Sequence, residues 1–143
     1  SYLSKADLVT KMVTEFTELQ GKMGMEYAEK SGENKIVSQA IFEQYLPRFS
    51  QDILPSTTAG AIVSIADKLD SICGLFAIGI QPTGSQDPFG LRRGALGIIN
   101  IIIDKKLNMS LKDLIDFSLY IYIEENNLAC DFNKVRKEIV DFF

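Results

Sequence analysis

The chain has 143 residues, 46% of them hydrophobic and 24% charged, with a formal net charge of −4 and no histidine. That is enough apolar material for one globular core. The missing histidine removes imidazole bases, the usual serine or cysteine triads and nitrogen ligands for zinc.

No apolar run reaches the roughly 18 residues that a membrane helix needs, and Ser1-Tyr-Leu-Ser-Lys-Ala-Asp7 lacks the layout of a signal peptide. A cytoplasmic chain with no membrane partner is expected. The acidic balance excludes a surface that binds nucleic acid all over, but leaves room for a local basic patch. The chain starts without methionine and almost directly in a helix signal, which fits a piece of something larger. Cys73 and Cys130 lie far apart in apolar surroundings and read as reduced, buried thiols rather than a disulfide or a zinc site.

Ser4-Lys-Ala-Asp7 has the form of a capping box, with Leu3 and Leu8 as its staple, and predicts a helix from Lys5 to near Thr17. Leu8, Val9, Met12, Val13 and Phe16 would form its buried stripe. A second helical pattern runs from Glu18 through Leu19, Met23 and Tyr27 and stops at Ser31 to Asn34. A third, through Val37, Ala40, Ile41 and Tyr45, must end before Pro47. Arg48 to Pro55 is a connector with little pattern.

Ser56 or Thr57 caps the longest signal, in which Ala61, Ile62, Ile65, Ala66, Leu69, Ile72, Cys73 and Phe76 lead to Gly79. Gly60 and Gly74 within it mark close approach of another helix backbone. Asp87 is placed as the next N-cap with Pro88 at the first helical position, opening a helix from Leu91 to Leu107 whose middle is apolar nearly all round. Ser110 caps a helix through Leu114, Ile115, Leu119 and Tyr122, and Asp131 caps a last one through Val135, Ile139 and Phe142. The tally is about seven helices and no sheet: an all-α, compact multi-helix domain spanning residues 1–143.

Two sets of residues carry candidate chemistry. Asp67 and Asp70 lie three apart on one helix face, as a divalent-metal or general-base pair would, or as core carboxylates held by arginine, lysine or backbone groups. Arg92 and Arg93 sit near the end of their helix where the dipole favours negative charge. One is placed to pair with Asp67 or Asp70 while the other faces outward to a phosphate, beside Thr83, Gly84 and Ser85 with their hydroxyls and backbone N–H groups. The glycine-rich pattern of a phosphate loop is absent.

Four stretches then occur in a specific order. They are Lys5-Ala-Asp-Leu-Val-Thr-Lys-Met-Val-Thr-Glu-Phe-Thr-Glu-Leu-Gln-Gly21, Tyr45-Leu-Pro-Arg-Phe49, Ala66-Asp-Lys-Leu-Asp70 and, within Gly79 to Gly97, Pro82-Thr-Gly-Ser-Gln-Asp-Pro-Phe-Gly-Leu-Arg-Arg93. Together they closely resemble the β subunit of bacterial glycyl-tRNA synthetase. The resemblance implies an internal HD-like helical fragment of a subunit that mainly binds tRNA(Gly) and assembles with an α subunit and other β-subunit domains. ATP, magnesium and glycine would be used on the α subunit, with no cofactor, metal or catalytic residue in this fragment.

Ala66-Asp67 is similar to a late motif of metal-dependent HD phosphohydrolases, so Asp67 and Asp70 would be vestigial carboxylates. Contacts to tRNA are expected from Arg92 or Arg93, with Thr83, Ser85 and Lys22. The alternatives are a degenerate HD phosphohydrolase using carboxylates alone, or a purely structural scaffold between domains.

Overall fold

The computed structural model describes residues 2–143. Among them are seven α-helices, two short 3-10 turns and a π-turn; there is no strand, although an isolated antiparallel bridge joins Thr83 and Gln86. The chain is all-α, as expected. It divides into two compact units, Ser1–Ala66 and Asp67–Phe143, with the boundary falling inside the longest helix.

The first unit departs most from the sequence pattern. In place of one helix from Lys5 to Thr17 it has a 3-10 turn at Ala6–Val9, a short α1 at Lys11–Glu15 and a second 3-10 turn at Thr17–Leu19. Thr10 causes the break. Its backbone is extended, its hydroxyl donates to the Asp7 carbonyl at 2.7 Å, and the same oxygen caps α1 by accepting from the Val13 N–H. Such local side-chain bonds compete with helix continuation. Ser4 therefore opens no helix, and of the expected buried stripe only Val13 is buried. Leu8, Met12 and Phe16 are exposed, and Val9 is 88% exposed.

Helix α2, Lys22–Lys30, starts after Gly21, whose φ of +76° favours glycine and whose added Cβ would fall 2.5 Å from the Tyr45 ring. Helix α3, Lys35–Glu43, is capped by Asn34, which accepts from the Ile36 N–H at 2.8 Å. It stops short of Pro47, as the sequence requires. The connector that follows is ordered by Arg48, whose Nε and Nη2 donate to the two oxygens of Asp52 at 2.8 and 3.1 Å. Helix α4, Thr58–Ala77, closes this unit with its first half, where Ala61 and Ile65 are buried while Ile62 and Ala66 are exposed.

The second unit follows the pattern more closely. The remainder of α4 buries Leu69, Ile72, Cys73 and Phe76. Helix α5, Leu91–Asp104, ends three residues before Leu107. It buries Leu91, Ala95, Ile98 and Ile101 but exposes Leu96 and Ile103, so it is one-sided rather than apolar all round.

Ser110 caps α6, Leu111–Tyr120, and Asp131 caps α7, Phe132–Phe142, each accepting from the N–H three residues on. Between them Ile121–Glu125 widens into a π-turn that periodicity did not reveal. The Phe76 and Phe142 rings meet at 5.1 Å between centroids. Cys73 and Cys130 are free thiols, the first buried and the second half-buried.

Candidate nucleic-acid interface and buried carboxylates

The segment before α5 is built by a tight turn. The Thr83 and Gln86 N–H groups each donate to the other residue's carbonyl, at 3.0 and 2.8 Å, around Gly84 with its φ of +50°. Thr83, Gly84, Ser85 and Gln86 are all exposed.

Asp87 does cap α5, but from further away than placing Pro88 at the first helical position implies. Pro88 and Phe89 form a turn, Gly90 with φ +66° is the N-cap residue, and the Asp87 carboxylate accepts from the N–H groups of Leu91 at 2.8 Å and Arg92 at 2.9 Å. The positive end of the helix is thus already occupied by a carboxylate of the chain itself.

Arg92 and Arg93 are both exposed. Among the described residues neither guanidinium takes part in an ion pair or hydrogen bond, so the expected pairing of one of them with Asp67 or Asp70 does not form. Arg93 folds back over Gly90: a Cβ at that glycine would lie 2.6 Å from Nη2. Thr83, Ser85, Arg92 and Arg93 belong to one short segment of the second unit. Lys22, exposed at the first residue of α2, belongs to the first.

Asp67 and Asp70 are not core carboxylates. Asp67 is half-buried and Asp70 exposed. Asp70 accepts from the Tyr122 hydroxyl at 2.8 Å, and that ring packs where a Cβ on Gly74 would be 2.6 Å from its oxygen. Gly74 therefore admits a side chain of the π-turn, not a helix backbone. Burial raises the Tyr122 hydroxyl above its ordinary pKa, and the Asp70 carboxylate raises it further. Burial likewise lowers Lys68 to about 8, against the pull of Asp67, and raises the Cys73 thiol to about 11. Among the described residues no three carboxylates or thiols come together as a metal cluster.

Among the described residues the buried carboxylates are Glu43, which the sequence pattern did not single out, and Asp7, which it placed in a capping box. Glu43, at the end of α3 and 1% exposed, accepts from the Ser56 N–H at 2.8 Å, the Thr57 N–H at 3.1 Å, both their hydroxyls and the Gln39 amide. Thr57 in turn caps α4 by accepting from the Gly60 N–H at 2.9 Å. Burial alone would raise the Glu43 carboxyl, but the bonds from Ser56, Thr57 and Gln39 outweigh it and hold the group below its ordinary value. Gly60 exists for this contact, since its Cβ would sit 2.5 Å from that of Glu43. Asp7, 2% exposed, accepts from the Gly21 N–H at 2.6 Å just before α2. The available signal for Glu43 was its place three residues after Ala40, on the buried side of α3.

Residues 1–143 match the family described as glycyl-tRNA synthetase beta subunit. The chain belongs to that family. It is 62% identical to the glycine–tRNA ligase beta subunit of Clostridioides difficile, and 56% and 54% identical to those of Desulforamulus reducens and Buchnera aphidicola. In each case 99% of the chain is covered but only 20% of the relative, so the chain spans about a fifth of the length of the curated relatives it matches. No helix among the described residues is long and apolar enough to cross a membrane.

Proposed function

We propose that the chain is a non-catalytic helical part of a glycine–tRNA ligase β subunit, and that it helps to position tRNA(Gly) for glycylation on the α subunit. In this reading ATP and magnesium act on the α subunit, outside the chain. The observation that carries it is the pair of exposed, unpaired guanidiniums of Arg92 and Arg93 beside the exposed Thr83–Gln86 turn. Two cations without protein partners suit phosphate oxygens, and such contacts orient an RNA without reading its sequence.

The test is Arg92→Ala with Arg93→Ala in the assembled enzyme. Weaker tRNA binding with a shallower salt dependence is expected, while the melting temperature stays unchanged. Unchanged affinity and unchanged salt dependence in a folded enzyme would sink the proposal.

A scaffold role has one specific observation in its favour: Tyr2, Val9 and Phe16 are exposed close together in the sequence, and other subunit domains would bury them. It predicts that the double arginine variant leaves tRNA binding intact, while polar replacement of these three weakens assembly of the β subunit with the α subunit.

A further inference from the structure

Helix α6 buries one side and leaves two aromatic rings on the other. Ile115 and Leu119 are buried, whereas Phe117 is 64% exposed and Tyr120 is 55% exposed. At about 100° per residue, Asp113, Phe117 and Tyr120 share about 60° of arc on the side away from that core. Glu124, in the π-turn, lies four residues beyond Tyr120, with Glu125 beside it; Asp113, Glu124 and Glu125 are all exposed. The rings are thus bracketed by carboxylates. Lys112 is exposed too, but points about 100° away from Asp113. Arg136 of α7 is already engaged by Asp116, to which its Nη2 donates at 3.0 Å.

Two large exposed rings side by side on one helix face mark a surface that something covers, and the charge around them narrows what that is. Carboxylates repel a phosphate backbone and an anionic membrane alike. A second copy is disfavoured as well, because a two-fold contact lays the patch against itself and opposes like charges. A basic segment suits both features: the carboxylates accept from ammonium or guanidinium groups, and the ring faces attract the same cations. The chain spans about a fifth of the length of its relatives, so a full-length β subunit supplies further segments on a tether. Tethering raises the effective concentration, and individually weak surface contacts then suffice.

We propose that the outer face of α6 docks a segment bearing lysine or arginine from the remainder of the β subunit. The stems of its basic side chains lie on Phe117 and Tyr120, while Asp113 and Glu124 hold the charges at the two ends. This face then serves subunit architecture rather than tRNA. It uses none of the residues assigned to RNA, so it stands or falls separately from Arg92 and Arg93.

The test places a photoreactive side chain, Phe117→p-benzoylphenylalanine, in a full-length β subunit assembled with the α subunit and tRNA, and maps the cross-linked product by mass spectrometry. A peptide with lysine or arginine from elsewhere in the same β chain is expected; mixing isotope-labelled and unlabelled β subunits separates it from a second copy. Asp113→Lys with Glu124→Lys should lower the yield roughly tenfold at an unchanged melting temperature. Should that pair prevent folding, Asp113→Asn with Glu124→Gln carries the test. Salt should reduce the yield with the native carboxylates and leave that of the neutral pair unchanged. Cross-linking to the α subunit, to tRNA or to a second β chain overturns the proposal, as does no cross-link at all or a yield indifferent to charge and salt.

Discussion

Both units cap helices locally, but only the first adds carboxylates that reach helix starts from far along the chain. In the second unit every N-terminus is served by a side chain within five residues: Asp87 for α5, Ser110 for α6 and Asp131 for α7. In the first unit two of the most consequential N–H groups are met from far along the chain. Asp7 reaches Gly21 across 14 residues, and Glu43 reaches Ser56 across 13. A local cap stabilises a helix whether or not the rest is folded. A distant one works only when the unit is already assembled, so the Gly21 and Ser56 contacts should be lost together with the first unit's core, while the local caps Thr10 and Asn34 of α1 and α3 do not depend on it.

The sharpest way to break this contrast is to remove the distant caps. Glu43→Ala should cost roughly 3 kcal/mol, because it strips a buried acceptor from several donors at once. Gly60→Ala should cost about 2 kcal/mol by driving a methyl group into Glu43, although alanine is the better helix former. Made together, the two changes should be less damaging than their sum, since each removes what the other disturbs. Chemical denaturation of the four proteins of this cycle measures that coupling, and simple additivity would refute the contact.

Gly74→Ala comes next, at about 1–2 kcal/mol, because the Tyr122 ring occupies the space that a methyl group would need. Adding Tyr122→Phe should relieve only part of this loss, as the ring remains. In the second unit Asp131→Ala should cost about 1 kcal/mol, the usual value of a local cap. A loss there as large as that of Glu43→Ala would erase the distinction between the units.

The smallest effect is in the acid limb. The Arg48 guanidinium, through its hydrogen bonds, lowers the Asp52 carboxyl from 3.8 to about 2, and Glu43 is also held below its ordinary value. Both groups bind protons less readily folded than unfolded, so their contribution is complete above the ordinary carboxylate range and is lost as pH falls through it toward about 2. Asp52→Asn should flatten the melting-temperature profile between about pH 4 and pH 2. The change should be modest, because Arg48 is half-exposed and water screens the pair.

The same division explains what could be read in advance. Ser110 and Asp131 cap helices that begin at the next residue, and apolar residues at helical spacing follow these caps to buried positions such as Ile115, Leu119, Val135 and Ile139. Sequence neighbours do the physical work there, so their order is informative. Ser4-Lys-Ala-Asp7 has the same form and misleads, because Asp7 is turned to Gly21 and Thr10 breaks the backbone between the two.

Glu43 and Tyr122 were illegible for a related reason. Their partners, Ser56, Thr57 and Asp70, lie 13 to 52 residues away, and no spacing rule connects them. At the candidate interface Arg92 and Arg93 were visible as a pair, but their freedom from Asp67 and Asp70 depends on where those carboxylates turn.

The cap on α5 has a consequence for any RNA that meets it. Because Asp87 already satisfies the first N–H groups, an approaching phosphate finds no open helix end and must rely on side-chain charge alone. Under the proposed contact the two guanidiniums of Arg92 and Arg93 would act as two point charges. Each guanidinium displaces the counterions of one phosphate, which contributes about 0.7 to 0.9 to the logarithmic salt slope, so this segment should account for fewer than two units of it.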